Sequence, residues 1–351
     1  LILRRALVTL HLWLGLSIGL LWALQGLTGA WLVFHRDVER VGVAVAAGPM
    51  ISLDRIAQVA PGAIRVSIAD GRRDLLVAAT KGEDVVIEAS TGRIVAPPPV
   101  TALNETFYHF HEELLAGENG KTFIGVSGLL LLSSALMGLW IGWPRGGWRA
   151  AFSPGRWRTV KTRLYGWHRA VGLLACIALV TVGTTGPMMI FGKQLRSWFT
   201  QPVAKVEPVE RLPVPAVSPE RAWRIAQARF PDATFVRLTF PSAKSPVWQV
   251  RMHRPGEWRA WSGATAVTID PQSGAILGAY DAAAGPLPNR ILDAAFPLHN
   301  GEVAGLTGRI LMILAGLSLP MFYVTGVLAW WRSRQRRRSH AKIDAQPATA
   351  I

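Results

Sequence analysis

Four of the eight histidines in this 351-residue chain recur at fixed offsets. His11 and His168 lie 157 residues apart in matching surroundings: His11-x3-Gly15-Leu16 aligns with His168-x3-Gly172-Leu173, and Thr28-Gly29 with Thr185-Gly186. His111 and His299 lie 188 apart, and Gly117, Gly120 and Lys121 align with Gly305, Gly308 and Arg309. Two imidazoles at matching depth on different helices are what a bis-imidazole haem requires, because iron in a planar macrocycle takes one axial ligand from each side. Two such pairs suit two haems, and the matched cations Lys121 and Arg309 suit haem propionates. The bland reading is also open: a lone histidine near a helix end is commonly an interfacial or capping residue, and Lys121 and Arg309 read equally as snorkelling anchors.

Other constellations are weaker. His35 and His109 align with Gly192 and Pro297 and stand as reserve ligands or surface residues. His253 and His340 read as solvated. His111-Glu112-Glu113-Leu114-Leu115 starts like a zinc-protease HExxH, but Leu115 takes the place of the second histidine. Cys176 is the single cysteine, so neither an intrachain disulfide nor CxxCH haem attachment is available. No GxGxxG follows a strand and no P-loop is present, which excludes nucleotide chemistry.

The elements that must position the histidines follow from charge. Half the residues are hydrophobic and 17% are charged. Stretches free of Asp, Glu, Lys and Arg run for 30 residues between Arg5 and Arg36, 23 between Lys121 and Arg145, 23 between Arg169 and Lys193, and 22 between Arg309 and Arg332. Each is long enough to cross a bilayer as a helix, for which about 20 apolar residues suffice. The first run is too long for a signal-peptide core and reads as a retained span.

The net charge of +16 is concentrated in three places. Arg4 and Arg5, the 145–163 connection and the tail after Trp331 together hold 14 basic residues against Asp344 alone. The positive-inside rule puts them in the cytoplasm and explains the basic balance without nucleic acid. The connections 36–120 and 193–308 then face outward. Each holds a short amphipathic helix (Leu53–Val59 and Pro219–Phe230) and a hairpin pattern around a Gly-containing turn (85–95 and 266–278). Pro97-Pro98-Pro99 and the run 208–219 read as linkers.

The expected organisation is an α-helical membrane protein: a four-transmembrane-helix bundle from a duplicated helix pair, with two periplasmic α+β domains. Residues 1–35 form the first span, 36–108 the first outer domain, 109–144 an interfacial segment and the second span, and 145–163 a basic cytoplasmic loop. Residues 164–192 form the third span, 193–297 the second outer domain, 298–331 an interfacial segment and the fourth span, and 332–351 a basic tail. His11 and His168 then lie at the cytoplasmic side, and His111 and His299 at the outer side.

At these residues the chain resembles the PepSY-associated transmembrane family of bacterial inner-membrane proteins. His11-Leu12-Trp13-Leu14-Gly15-Leu16 with Gly26-Leu27-Thr28-Gly29 is similar to that family's first span, and Trp167-His168-Arg169-Ala170-Val171-Gly172 to its third. Ser90-Thr91-Gly92 and Asp270-Pro271-Gln272-Ser273-Gly274 are similar to the turns of PepSY domains, although the first copy lacks the usual Asp-Pro. The resemblance implies a b-type haem protein of the inner membrane that passes electrons from a cytoplasmic reductase or membrane quinol to a periplasmic ferric siderophore. It implies His11, His168, His111 and His299 as axial ligands. A sensor or peptidase-regulating module is the competing implication, and a transporter has only Gln25 and the Thr181/Thr184/Thr185 group in its favour.

Overall fold

The computed structural model describes residues 2–40, 45–69, 72–82, 84–96, 100–144, 146–152, 159–199, 209–210, 213–259 and 262–344. In chain order the first elements are α1 (Ile2–Ser17), α2 (Gly19–Leu32), α3 (His35–Arg40), α4 (Leu53–Val59), β1 (Arg65–Ala69), β2 (Arg72–Ala79), β3 (Val85–Glu88) and β4 (Ile94–Val95). Then come α5 (Thr101–Glu113), α6 (Gly117–Gly142), α7 (Trp148–Ala151), α8 (Val160–Ile190), α9 (Gly192–Phe199) and α10 (Pro219–Arg229). The chain finishes with β5 (Thr234–Thr239), β6 (Trp248–His253), β7 (Thr265–Ile269), β8 (Ile276–Tyr280), α11 (Leu287–His299) and α12 (Gly305–Asp344). It divides into two compact units: Leu1–Val33 with Thr106–Ile190 and Leu298–Ile351, and Phe34–Glu105 with Phe191–Pro297.

The first unit is helical and inverted in polarity. Ser127, Ser134, Thr185, Ser318 and Thr325 are buried, whereas Leu174 and Ile177 are 72% and 82% exposed. Such a surface suits lipid, where tight packing of small residues rather than apolar burial holds helices together. Among the described residues, three helices are long and apolar enough to cross a membrane, and four spans result if α1 and α2 count as one. A Cβ on Gly26 would stand 2.3 Å from the Gly316 carbonyl oxygen, so α2 and α12 meet backbone to backbone. Gly183 lets α8 approach the Leu132 backbone of α6 in the same manner.

The first span, expected as one helix, is bent by 63° between α1 and α2. Gly19 and Ser17 account for the break. Gly19 is a weak helix former, and the Ser17 hydroxyl donates to the Trp13 carbonyl (2.7 Å), a back-bond that bends helices. At the other end of the spans, Gly117 and Gly305 have φ of 59° and 58° and open α6 and α12. Leu114 and Leu115 adopt left-handed φ values of 53° and 57° in the turn before α6, a costly backbone for a branched residue. That turn stops α5 two residues after His111.

The second unit is an eight-stranded antiparallel sheet in the order β4-β3-β2-β1-β5-β6-β7-β8. The hairpins expected at 85–95 and 266–278 are the β3–β4 and β7–β8 pairs, closed around Gly92 and Gly274 at φ 77° and 76°. The two stretches expected as separate outer domains share this sheet, because β1 pairs with β5 through Val66↔Leu238. Pairing removes two edge strands that would otherwise expose unsatisfied N–H and C=O groups.

One face of the sheet carries the core, in which Ile56, Leu76, Ile87, Leu238, Val250 and Ile269 are fully buried. Helices α4 and α10 lie over it, each N-capped by a serine, Ser52 and Ser218. Their first turns cap each other as well. Leu53 N–H donates to Glu220 (3.0 Å), and Glu220 N–H donates to Asp54 (2.8 Å). Each carboxylate thus sits at the positive end of the neighbouring helix.

Candidate functional site

The histidines matched by sequence offset meet in pairs within the helical unit. The ring centroids of His11 and His168 are 6.2 Å apart with planes at 89°, and those of His111 and His299 are 6.3 Å apart at 71°. Each pair draws one ring from before residue 145 and one from after residue 163.

Every ring is anchored through Nδ1. His111 meets the Thr28 hydroxyl at 3.1 Å, His299 meets Thr185 at 3.0 Å, and His168 meets Thr325 at 2.9 Å. In each case the hydroxyl spends its own hydrogen on the carbonyl one turn back: Thr28 on Leu24 (3.0 Å), Thr185 on Thr181 (2.7 Å) and Thr325 on Met321 (2.7 Å). The hydroxyl oxygen must therefore accept, and the imidazole must donate. His11 reaches the same state by a different route: its Nδ1 lies 3.1 Å from the Ser134 carbonyl oxygen, which can only accept, and 3.1 Å from the Ser134 hydroxyl. All four rings therefore carry the proton on Nδ1 and present a bare Nε2 lone pair, the form in which neutral imidazole binds a metal. Desolvation by the surrounding protein also holds His111 and His299 below the ordinary imidazole value.

The spacing tests what fits between them. With metal–imidazole bonds of about 2.0 Å and about 1.1 Å from nitrogen to ring centre, trans imidazoles on one ion place their centroids about 6.2 Å apart. An edge-to-face contact made through ring C–H spans a similar distance, so the spacing accommodates an ion between the rings as well as a direct contact. A bare ion needs more ligands than two, and among the described residues no group of three or more His, Cys, Asp or Glu could hold one. A tetrapyrrole brings four nitrogens of its own and lacks only the axial pair. The four rings are each half-buried within the helical unit. Glycines clear the same rings: a Cβ at Gly29 would stand 2.8 Å from His111 Cε1, at Gly138 3.2 Å from His11 Cε1, and at Gly186 3.4 Å from His299 Cε1. The residues present fit haem.

The remaining candidates lie elsewhere. Lys121 stands among Glu118 (3.5 Å), Glu113 (3.6 Å) and Glu112 (3.9 Å), so its partners are carboxylates of its own chain. Arg309 donates to the Val33 carbonyl (2.7 Å). The reserve ligand His109 pairs with Glu113 (2.8 Å) on the exposed side of α5. His35 opens α3, and His253 ends β6, both in the sheet unit rather than with the paired rings. His340 falls in the last turns of α12, where side chains are outside the described residues, as are Pro97-Pro98-Pro99.

Four anchoring residues went unread from the sequence. Thr28 and Thr185 were visible as a repeated Thr-Gly but without a role. Ser134 and Thr325 gave no repeat signal, because the position matching Ser134 is Phe322, which instead packs on the His168 ring at 5.0 Å.

Compared with known families, the chain matches the description of the PepSY-associated TM region over residues 8–333. No curated protein matches it.

Proposed function

Since this multi-pass membrane chain belongs to the PepSY-associated TM region family, we propose that it is an inner-membrane b-type haem protein passing electrons to a periplasmic ferric siderophore. The observation that carries the reading is the pair of imidazole couples, each ring anchored at Nδ1, with centroids 6.2 and 6.3 Å apart. His11 with His168, and His111 with His299, would hold one haem each. When bound, the haem supplies reversible one-electron chemistry that no amino-acid side chain here provides.

The protein's own work is positional. Thr28, Thr185, Thr325 and Ser134 fix tautomer and ring orientation, and hydrogen bonding to Nδ1–H raises the basicity of Nε2. The four spans, α1–α2 counted as one, form a bundle with both termini and the 145–163 loop in the cytoplasm, as the clustered arginines favour. The sheet unit then lies in the periplasm, where the ferric chelate is met. Reduction to Fe(II) weakens hard-oxygen chelation and releases the metal. The electron donor is a cytoplasmic reductase or membrane quinol.

The test is the absorption spectrum of the detergent-purified protein. Dithionite-sensitive haem bands, diminished in His168→Ala, are expected. A colourless preparation that takes up no added haem overturns the reading and favours a sensor or peptidase-regulating module. Reoxidation of the reduced protein by ferric siderophores, compared with quinones and simple ferric salts, tests the acceptor. Reoxidation by quinones alone leaves haem binding intact but removes the reductase assignment.

A further inference from the structure

Helix α1 and the first half of α8 carry matching residues but are held differently. Ser17, Ile18 and Gly19 correspond, by the 157-residue offset, to Leu174, Ala175 and Cys176. Helix α8 runs unbroken through the latter three, from Val160 to Ile190, whereas α1 and α2 part by 63° at the former. Both histidines nevertheless reach one couple, with ring centroids 6.2 Å apart. His168 gets there without a break in its helix, so the bend answers to something other than placing a ring.

The joint has the makings of a hinge. Ile18 stands at φ −114° and ψ −6°, away from the helical values of about −63° and −42°. The Ser17 hydroxyl turns back on the Trp13 carbonyl, and Gly19 has no side chain to pack. The Tyr323 ring of α12 lies against it, where a Cβ would stand 3.0 Å from Tyr323 Cδ2. A hinge needs only a few element-terminal residues that absorb a change of backbone angle.

Beyond the joint α1 is lightly held. It buries none of its residues, whereas the matching part of α8 buries Ala170. A Cβ on Gly15 would meet nothing within 4 Å, while one on the matching Gly172 would touch Phe322 at 3.9 Å. Among the described residues, His11 makes the only side-chain hydrogen bonding from α1 to another helix, through Nδ1 to Ser134 at 3.1 Å. A segment with so few buried contacts moves at little cost.

We propose that α1 is a hinged arm, turning about Ser17–Gly19, that carries His11 to and from the His168 ring. Resting on the haem reading, the arm is the device by which a haem enters and leaves that couple. Swinging α1 away withdraws one axial ligand while the close contacts of Gly26 with Gly316 and of Gly183 with Leu132 keep α2 on α12 and α8 on α6. Ligation of iron by His11 then holds the arm shut.

The test is pulsed electron spin resonance on the full-length Cys176→Ala protein in neutral detergent, before and after adding haemin. One sample carries spin labels on Val8→Cys of α1 and Leu136→Cys of α6. The other carries them on Tyr165→Cys of α8 and Val324→Cys of α12, which match by the same offsets; all four positions are exposed. Without haemin the α1–α6 distance is expected to be broad or two-peaked and the α8–α12 distance narrow, and haemin should collapse the first to a single narrow peak. Ile18→Gly should broaden the α1–α6 distance further and speed haem loss from this couple to apomyoglobin about tenfold. Should that variant fail to fold, His11→Ala serves instead: its α1–α6 distance should stay broad with haemin present. Equal, narrow distances in both haem-free samples, a broad α1–α6 distance that haem uptake leaves unchanged, or a folded Ile18→Gly that behaves as the unsubstituted joint overturns the proposal. A broad α1–α6 distance in a protein that takes up no haemin defeats the haem reading alone. Haem bands in a protein whose α1–α6 distance is narrow throughout defeat the arm alone.

Discussion

Gly29 and Gly186 follow matching threonines and each lies beside a histidine ring, yet alanine should act oppositely at them. In a helix interior Gly→Ala gains about 0.8–1.0 kcal/mol from backbone entropy. At position 186 the new Cβ would stand 3.4 Å from His299 Cε1, near ordinary contact, so most of that gain should survive. At position 29 it would stand 2.8 Å from His111 Cε1, a distance real Cβ atoms do not hold. The ring has to move by several tenths of an ångström, and the Thr28–Nδ1 bond lies in its path. Overpacking costs about 1–3 kcal/mol and the lost hydrogen bond about 0.5–1.5 kcal/mol. Gly29→Ala should therefore lose about 1–3 kcal/mol net, while Gly186→Ala gains up to about 1 kcal/mol. Thermal unfolding in detergent reads this difference directly. In haem-loaded protein Gly29→Ala should also disturb the spectrum of the His111/His299 couple. Equal behaviour of the two variants, or a more stable Gly29→Ala, would refute the placement of the His111 ring.

Gly26→Ala, with a Cβ 2.3 Å from the Gly316 oxygen, should separate α2 from α12 and lower the unfolding temperature. Gly15→Ala, with nothing within 4 Å, should gain about 0.5–1 kcal/mol in the same assay. Thr325→Val removes the acceptor of His168 Nδ1–H, so the less basic imidazole should shift the haem potential upward in a spectroelectrochemical titration; an unchanged potential counts against the tautomer assignment. Glu88 is buried and held below the usual carboxylate range, first by the Thr91 hydroxyl (2.6 Å), then by Ala46 N–H and Arg93. With its folded value depressed, its contribution is present above about pH 4.3 and is lost as pH falls towards the folded value. Glu88→Gln should thus be less stable at neutral pH and flatter on acidification, followed by circular dichroism.

What the sequence disclosed followed from how few constraints each feature answers to. The four charge-free runs show because lipid demands little beyond length and apolarity. The bend at Ser17–Gly19 does not, since one glycine and one serine are tolerated in many straight helices. Helix α4 was legible to its ends, with Ser52 before it and apolar residues at helical spacing. Strand β6, Trp248-Gln249-Val250-Arg251-Met252-His253, alternates strictly and was open to reading as a strand. Strand β2 could not be read so, because Leu75 and Leu76 are both buried and so are Ala78 and Ala79. At the site, offset alone brought the four histidines together. The hydroxyls at Ser134 and Thr325 break the repeat, and only tertiary contact identifies them.

Each couple of rings takes one member from either side of the 145–163 connection, and the sheet likewise closes across it through β1 and β5. A chain severed there would yield two pieces, each holding one imidazole of either couple and one raw strand edge. Neither piece could complete a ring couple alone. Two copies of one piece, however, would bring identical surfaces face to face about a twofold axis and restore both couples with equal rings. Joining the pieces in a single polypeptide frees each side from that identity: Ser134 meets the His11 ring, whereas Phe322, 188 residues on, packs against the His168 ring.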